Sequence, residues 1–254
     1  MTVEMEERRS AIEAFVNQEH NITFAQLKKR FSTVSDMTLR TDLKALDHER
    51  RIVRVHGGAR SVGHVVGTDG LIDERRIRNV EAKRVIAEKA KDLVRSDTTI
   101  YLDSGSTTTE LAAAVDDVHA LFLTNSITCV TELARLEHAQ VMVPGGTLNR
   151  YSMSLSGGRT IEAIKNLSID VLFLGVTSYH PDLGIGCGVD EEAALKRVCI
   201  EQAGSVVALM DATKVGHRST FRVCGLESID VLVGDGNFSS EFLGRCEEAN
   251  VQVL

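Results

Sequence analysis

The sequence has no long hydrophobic run, few cysteines and no basic N-terminal leader. No apolar stretch approaches the roughly 20 residues that a membrane-spanning helix needs, and residues 1–10 are too acidic for a secretory signal peptide. The five cysteines are odd in number and include no Cys-x-x-Cys pair, which argues against a disulfide framework or a zinc site. We therefore expect a cytoplasmic protein with reduced thiols, no bound metal and no membrane contact.

Negative charge exceeds positive charge, and the positive charge is unevenly distributed. The 254 residues carry a net charge of −7, and 43% of them are hydrophobic, enough for a full core. Residues 1–60 contain 11 Lys and Arg against 9 Asp and Glu, a net charge of +2, which leaves 18 against 27, a net charge of −9, for the rest. Because an acidic surface repels DNA, any contact with nucleic acid is expected in the N-terminal part.

Residues 21–60 predict two helices, separated by a tight turn and followed by a basic β-hairpin. Apolar residues recur at helical spacing from Phe24 to Phe31, and Ser35 is placed to cap a second helix that continues through Leu46. A short strand signal, a Gly-Gly turn and surrounding cations follow. This order of elements is typical of a small α+β winged helix-turn-helix module.

The second helix and the hairpin supply candidate DNA contacts. Hydroxyls and an arginine near a helix N-terminus can reach base edges, whereas hairpin cations hold the phosphate backbone. The alternative is a helical subdomain with a solvated charged face, which the added hairpin makes less favoured. The hairpin cations are Arg51, Arg54, His56 and Arg60. The candidate DNA-binding residues are Ser35, Asp36, Met37, Thr38, Arg40, Thr41, Lys44, Arg54 and His56.

After a glycine-containing linker at residues 60–70, short apolar runs alternate with helical segments. This alternation predicts an α/β domain with an open, mostly parallel sheet. We divide the chain into a domain at 1–60, a linker at 61–79 and a larger domain at 80–254. The predicted strands are Thr99–Leu102, Leu121–Thr124, Val141–Val143, Val171–Gly175, Val206–Met210 and Ile229–Gly234.

Polar loops of small residues follow several predicted strands. Residues 103–108, DSGSTT, open a helix whose free N–H groups can bind an anion. Ordinary N-capping explains this loop alone equally well, but the loops at 124–126, 144–147 and 211–214 belong to the same sheet edge. Together they suit a phosphate-sized anion such as a sugar phosphate. No Gly-x-Gly-x-x-Gly or Walker loop is present, so neither a dinucleotide nor a nucleoside triphosphate is indicated, and no cofactor is expected.

Several sequence motifs occur in the order typical of one family. VSDMTLRTDLKAL at 34–46 and RVHGGA at 54–59 are followed by DSGSTT, TNS, PGG, EAALKR at 192–197 and DATKVG at 211–216. On these motifs the chain resembles the DeoR family of bacterial transcription regulators along nearly its full length. The resemblance implies a winged-helix operator-binding domain joined to a sensor and oligomerisation domain similar to ribose-5-phosphate isomerase.

The resemblance also implies double-stranded operator DNA and a small phosphorylated sugar as partners. Repression of a carbohydrate operon is the more common mode of regulation in the family. Because one reading helix covers only a few base pairs, a homo-oligomer is expected. Asp103 and Glu192 are assigned to sugar hydroxyls, and Lys214 to the phosphate or an adjacent oxygen. The candidate effector-binding residues are Asp103, Ser104, Gly105, Ser106, Thr107, Thr108, Asn125, Ser126, Gly145, Gly146, Glu192 and Lys214.

The chain departs from the family at several points. Thr41 stands where a second arginine is frequent, and Arg50 where a glycine commonly ends the recognition helix. Compared with the family pattern, one residue is inserted around 32–34, and 174–178 replaces a glycine-alanine-aspartate stretch.

A sugar-phosphate isomerase is the alternative function, because the larger domain resembles that fold. Isomerisation requires a general base beside the reacting carbons, and the isomerases that the chain resembles carry paired aspartates after the strand at 171–175. No carboxylate occurs here before Asp182, so catalysis is not expected and no residue is assigned a catalytic role. Glu192 and Lys214 keep the alternative open.

Other reactive or charged side chains receive structural interpretations. His180, His217 and Cys187 lack the ligand spacing of a metal site. Lys83 and Arg84 are predicted to lie on a solvated helix face.

Overall fold

The computed structural model describes residues 3–55, 57–62 and 71–254, and its contacts divide the chain into two compact units between residues 70 and 71. Each unit has its own hydrophobic core. The predicted contact by His56 lies outside the described residues, as do residues 63–70 of the predicted linker. The second unit starts at Leu71 and includes a helix, Ile72–Ile77, within the segment predicted as linker.

The first unit contains a helix-turn-helix and a small antiparallel sheet. Its helices are α1 (Val3–Glu19), α2 (Phe24–Arg30) and α3 (Asp36–His48). Its strands are β1 (Asn21–Thr23), β2 (Ile52–Val55) and β3 (Gly58–Ser61). The strand order is β1-β3-β2, so the predicted hairpin gains β1 as a third strand that the sequence analysis missed. Leu27, Leu39 and Ile52 form part of the core between the helices and the sheet.

Local side-chain bonds set the ends of α2 and α3. Thr23 caps α2 in a reciprocal pair with Gln26, whose backbone N–H lies 3.2 Å from Thr23 Oγ1. Ser35 caps α3 as predicted, because its Oγ accepts from the Thr38 N–H at 3.1 Å. Arg50 follows α3 with a φ of +60°, a left-handed conformation that favours glycine. The position where the family commonly has a glycine therefore keeps the left-handed backbone with an arginine.

The turn of the hairpin requires glycine for a steric reason. Gly57 has a φ of +82° at the turn itself. A Cβ added to Gly58 would lie 1.9 Å from the carbonyl oxygen of Ile22 on the neighbouring β1. Any larger residue at position 58 would separate the hairpin from the strand that supports it.

The second unit is built on a parallel sheet with helices on both faces. Its main strands are β4 (Thr99–Leu102), β5 (Leu121–Thr124), β6 (Gln140–Met142), β9 (Ile169–Gly175), β12 (Ala203–Met210), β14 (Val231–Gly234) and β15 (Gln252–Val253). Its helices are α4 (Ile72–Ile77), α5 (Val80–Lys91), α6 (Ser106–Ala114), α7 (Ile127–Leu133), α8 (Gly158–Lys165), α9 (Asp190–Gln202) and α10 (Ser240–Glu248). The sheet order is β15-β14-β12-β9-β4-β5-β6, and every pair is parallel. The predicted α/β fold with a mostly parallel sheet is confirmed.

Alternate residues of the central strands enter two separate cores. Ile100 and Phe173 belong to the core that α5, α6 and α7 cover, whereas Tyr101 and Leu172 belong to the core under α8, α9 and α10. Burial on both faces explains why these strands are continuous apolar runs in the sequence.

Shorter strands complete the second unit. β7 (Thr147–Asn149) and β8 (Ser154–Ser156) form a hairpin. β10 (Ser178–His180), β11 (Gly184–Cys187) and β13 (Phe221–Cys224) form an antiparallel sheet. These strands of three or four residues are too short for a readable period, so the sequence analysis missed them.

The prediction that Lys83 lies on a solvated face is wrong. Lys83 is only 4% exposed, and its Nζ donates to the carbonyl oxygens of Arg75 and Arg78 at the end of α4. Burial lowers the pKa of Lys83, and the like charge of Lys214 adds to this shift, while Asp211 opposes it. The neighbouring Arg84 side chain is 62% exposed, as predicted.

Candidate functional site

Some candidate DNA-binding side chains on α3 already make hydrogen bonds within the protein, and others are exposed. The hydroxyls of Ser35 and Thr38 are 2.8 Å apart, and Thr41 Oγ1 donates to the Met37 carbonyl oxygen at 2.9 Å. Met37 itself is 80% exposed in the first turn of α3. The remaining candidates on this helix, Asp36, Arg40 and Lys44, are exposed, and Asp36 pairs with Lys28 at 3.3 Å.

An open groove of about 580 Å³ lies between α3 and the hairpin. Its charged lining residues are Arg40 and Lys44 from α3 and Arg54 from β2, and none of its described lining residues is acidic. The backbone N–H of Arg54 donates to Asp47 at 2.9 Å, which fixes β2 against the end of α3. Three cations on the walls of one groove suit the phosphates of a duplex.

Arg51 is not an exposed cation of the hairpin. Its guanidinium pairs with Glu6 at 2.6 Å, Glu13 at 2.8 Å and Glu49 at 3.3 Å, so it joins α1 to the end of α3. Arg51 was predicted to be a hairpin cation because its partners on α1 are distant in sequence. Arg51 therefore serves the internal structure of this unit.

In the second unit, strand register brings the polar loops together. Leu102 at the end of β4 pairs with Phe173 on β9 and with Thr124 on β5. The residues that follow these strands are therefore neighbours at the carboxyl edge of the sheet, where ligands bind in open α/β sheets. Gly175 also pairs with Leu209 of β12, next to the loop that carries Lys214.

Asp103 and Lys196 form a buried ion pair at this edge. Asp103 is 4% exposed, and its Oδ2 accepts from Lys196 Nζ and from the Gly175 N–H, the latter at 3.0 Å. Lys196 Nζ also donates to the Gly175 carbonyl oxygen at 2.9 Å. Burial by itself would lower the pKa of Lys196, but the charge and hydrogen bond of Asp103 raise it above its ordinary value.

Lys196 is a polar residue of this edge that the sequence analysis missed. It lies on α9 one turn after Glu192, inside the motif EAALKR. Its position four residues from a candidate ligand residue was the available signal, because residues at that spacing share a helix face.

Some hydroxyl groups of the DSGSTT loop are hydrogen-bonded within the protein. Ser104 and Thr107 are half-buried, whereas Ser106 and Thr108 are buried at the start of α6. Thr108 Oγ1 donates to the Gly105 carbonyl oxygen at 3.0 Å. The N-cap residue of α6 is Gly105, which makes no side-chain cap bond, so Thr108 bonds within the loop without capping the helix. Ser104, Ser106 and Thr107 remain the candidates for a ligand.

Asn125 and Ser126 are bonded into the frame of the edge. Asn125 accepts from the Tyr101 hydroxyl at 3.1 Å and donates to the Leu155 carbonyl oxygen at 3.0 Å. Ser126 caps α7, because its Oγ accepts from the Cys129 N–H at 3.2 Å. These bonds orient the loop after β5 and attach it to β8.

β8 connects the loop after β5 to Glu192. Ser154 bridges Ser126 through the backbone, and its Oγ donates to Glu192 Oε1 at 3.5 Å. The neighbouring Ser156 Oγ donates to Glu191 at 2.9 Å. Ser154 thus contacts both Ser126 and Glu192, which links these two candidate residues through β8.

The glycine pair after β6 has a packing role of its own. Gly145 has a φ of +76° and accepts from Thr160 Oγ1 at 2.8 Å. A Cβ on Gly146 would lie 2.1 Å from the same Thr160 Oγ1. Close packing against α8 therefore accounts for Gly146 without a ligand.

Lys214 lies on a short 3-10 turn, Ala212–Lys214, after β12. Because β9 lies between β12 and β4, Lys214 stands on the far side of β9 from Asp103. The loop that carries it is fixed by Asp211, which is 2% exposed and accepts from the Thr213 N–H at 3.1 Å.

The described residues contain neither a metal-binding cluster nor a membrane-spanning helix. No group of three or more His, Cys, Asp or Glu side chains within 3–55, 57–62 and 71–254 is placed to hold a metal ion. Across the same residues, the helices are too short or too polar to cross a membrane. All five cysteines are buried free thiols.

Two family models match the chain, and each matched range lies within one of the two units. The DeoR-like helix-turn-helix domain matches residues 8–65, and the DeoR C terminal sensor domain matches residues 78–236. The chain belongs to the DeoR family. It is accordingly a DNA-binding transcription regulator with a C-terminal sensor domain, and not an enzyme.

Relatives match this DeoR-family chain over most of its length. The HTH-type transcriptional regulator GlpR of Haloferax volcanii is 33% identical over 87% of this chain and 86% of that protein. The HTH-type transcriptional regulator GolR of Listeria innocua is 31% identical over 97% of both chains. The HTH-type transcriptional repressor GlcR of Bacillus subtilis is 29% identical over 98% of this chain and 95% of that protein.

Among solved structures, ribose 5-phosphate isomerase A of Methanocaldococcus jannaschii matches with a TM-score of 0.40 and 16% identity, over 54% of this chain and 55% of that chain. A likeness at this level carries no argument about function.

Proposed function

We propose that this protein is a repressor that binds operator DNA and is controlled by a small phosphorylated sugar. The observation that carries the DNA-binding part is the groove between α3 and the hairpin, with three cations and no acidic residue among its described lining residues. Relatives named as the GlcR repressor, a putative aga operon repressor of Escherichia coli and a lactose phosphotransferase system repressor of Staphylococcus epidermidis support repression and a carbohydrate-related target.

In the proposed complex, α3 enters the major groove with its N-terminal turn towards the bases. Arg40 donates to a guanine edge, and the exposed Met37 side chain contacts a thymine methyl group. Lys44 and Arg54 hold phosphates on either side of the groove. The hydroxyls of Ser35 and Thr38 bond to each other, and they approach the DNA phosphate backbone at the start of α3.

Two variants of the full chain separate base reading from phosphate binding. The probe is a duplex that the wild-type protein selects from a random pool, compared with a scrambled duplex. Arg40→Ala is expected to cost about 1–3 kcal/mol on the selected duplex only. Arg54→Ala is expected to weaken both duplexes and to reduce the salt slope by about one. Unchanged affinity of Arg40→Ala for the selected duplex would reject α3 as the reading helix.

We also propose a homo-oligomer, because one reading helix covers too few base pairs to find one site in a genome. Light scattering of the full chain at micromolar concentration is expected to give at least the mass of a dimer. A stable monomer, both alone and with the selected duplex, would contradict this proposal.

The proposed effector site is the carboxyl edge of the sheet around the Asp103–Lys196 pair. The start of α6 supplies N–H groups and Ser106 for the phosphate, and Glu192 supplies an acceptor for sugar hydroxyls. Because Asp103 is already bonded to Lys196 and Gly175, its free lone pairs are the ones that can accept from a ligand. Lys214 serves a more distant oxygen, which favours a ligand long enough to span β9.

Thermal-shift measurements with a panel of pentose and hexose phosphates test this site. A stabilising compound is expected, and its shift is expected to disappear in Ser106→Ala and in Lys214→Ala. Lys165→Ala, which removes an exposed lysine at the end of α8, is the matched control and should keep the full shift. A shift that survives both site variants would move the effector to another part of the unit.

Contacts of Asn79 support a route from this edge towards the DNA-binding unit. The side-chain amide of Asn79 donates to Asp211 at 3.3 Å and to Thr213 at 3.1 Å, in the loop that carries Lys214. A ligand that repositions this loop would act on Asn79, close to the start of the second unit at Leu71. Operator affinity changes only if the ligand prefers one arrangement of that segment.

A further inference from the structure

The ring of Phe24 lies directly beneath the guanidinium of Arg40. Arg40 Cζ is 4.2 Å from the centroid of the Phe24 ring. A guanidinium within about 6 Å of an aromatic face is attracted by the negative face of the ring. The contact joins the first residue of α2 to the middle of α3, so it links the two helices of the helix-turn-helix.

Phe24 is itself fixed by the hairpin and by its own helix. Its backbone N–H donates to the Gly57 carbonyl oxygen at 2.8 Å, at the turn between β2 and β3. Its helix begins at the capping pair of Thr23 and Gln26, and its side chain packs against the core of the unit. The ring therefore has a defined position relative to both walls of the groove.

A stacked arginine differs from an ion-paired one in the donors that it keeps. Arg51 spends its guanidinium N–H groups on Glu6, Glu13 and Glu49. A ring below the guanidinium occupies its flat face, whereas the N–H donors point outward in the plane. Arg40 is thus held in place while its planar fork stays suited to the two acceptors on a guanine edge.

We propose that Phe24 is a positioning residue for base reading by Arg40, an inference that rests on the proposed role of α3. The ring restricts the rotamers of a long side chain before DNA binds, which lowers the entropy lost on binding. Phe24 sets specificity through Arg40 and requires no base contact of its own.

The test compares variants of the full chain on the selected and scrambled duplexes described above. Phe24→Leu keeps an apolar side chain without a π face, and Phe24→Tyr keeps the face. Phe24→Leu is expected to weaken binding to the selected duplex about two- to fivefold per reading helix. Its affinity for the scrambled duplex and its salt slope should stay at the wild-type values. Phe24→Tyr should bind like the wild type.

A double variant separates positioning from structural damage. In an Arg40→Ala background, Phe24→Leu is expected to have no further effect on the selected duplex. A loss of the same size in that background, or an equal loss on both duplexes, would overturn the proposal. An Arg40→Ala variant without any effect would instead reject the role of α3, so the two failures are distinguishable.

A substitution that preserves the shape of the ring covers the case in which Phe24→Leu does not fold. Pentafluorophenylalanine incorporated at position 24 alone keeps the size of the ring and reverses the charge of its face. Loss of selectivity for the selected duplex is expected, at least as large as in Phe24→Leu, because the reversed face repels the guanidinium. Wild-type selectivity in this variant would show that the aromatic face does not position Arg40.

Discussion

The two units each bury a carboxylate, and the surroundings give the two carboxylates different roles. Asp42, in the middle of α3, is 1% exposed and pairs with Arg8 at 2.7 Å and with Arg9 at 3.2 Å, both on α1. Asp103 follows a strand and pairs with Lys196 from α9. Asp42 lies on the buried side of α3, so it holds two helices together. Asp103 lies where the loops of a parallel sheet meet, so it can also face a ligand.

Burial and ion pairing alone therefore do not identify a binding site. Both carboxylates are nearly inaccessible, and each has a cationic partner that is distant in sequence. Their positions in the topology distinguish them, because open α/β sheets bind ligands at the carboxyl ends of their strands. The DNA-binding unit places most of its candidate residues on an exposed face, whereas the sensor unit buries Asp103, Ser106 and Asn125 of its candidate site.

The largest expected effect is that of Lys196→Met. This change leaves Asp103 buried without a counter-charge, which should lower the free energy of unfolding of the second unit by about 3–5 kcal/mol. Hydrogen exchange at β4 and β9 in increasing urea measures the change. The double variant Lys196→Met with Asp103→Asn should recover much of the loss, since asparagine can still accept from the Gly175 N–H. Wild-type stability in the single variant would contradict this role of the pair.

Asp42→Asn should act on the other unit. This change removes the buried negative charge that pairs with Arg9. The free energy of unfolding of the first unit is expected to fall by about 2–3 kcal/mol. Hydrogen exchange should show faster exchange in α1 and α3 and no change in the parallel sheet. Equal destabilisation of both units would contradict the comparison.

Lys83 and Arg84 provide a matched pair of adjacent cations on α5. Lys83→Met removes a buried donor from the carbonyl oxygens of Arg75 and Arg78 and should cost about 1–3 kcal/mol. Arg84→Met removes an exposed partner of Glu81 and should cost less than about 1 kcal/mol. Urea unfolding of both variants measures the difference, and equal losses would show that burial of Lys83 contributes nothing.

The smallest effect is expected at Asp117, an example of a carboxylate near the surface. The backbone N–H of His138 donates to Asp117 at 2.9 Å, and this bond, together with that of the His138 ring, lowers the pKa of Asp117 below its ordinary 3.8. The stabilisation is therefore complete above pH 3.8 and is lost as the pH falls through the folded-state pKa. Asp117→Asn should melt below the wild type at pH 7, and the difference should shrink in acid. A difference in melting temperature between the variant and the wild type that is the same in acid as at pH 7 would contradict this role of Asp117.

Local patterns predicted more of the DNA-binding unit than of the sensor site. The cap at Ser35, the period of α3 and the Gly-Gly turn are each encoded within a few neighbouring residues. The central parallel strands were predictable because burial on both faces makes them apolar throughout, whereas the two-residue edge strand β15 was missed. Lys196 was missed and Lys83 was wrongly predicted to be solvated. The partners of both are set by the tertiary fold, and lysine is usually solvated.

We propose that a ligand at the sheet edge changes how the other unit binds DNA. The most direct measurement is the affinity of the full chain for its selected duplex, by fluorescence anisotropy, with and without the sugar phosphate that gives the largest thermal shift. We predict a change in affinity that Ser106→Ala abolishes while it binds the duplex normally without ligand. Unchanged operator affinity in the presence of a stabilising sugar phosphate, or no stabilising compound in the panel, would contradict the account.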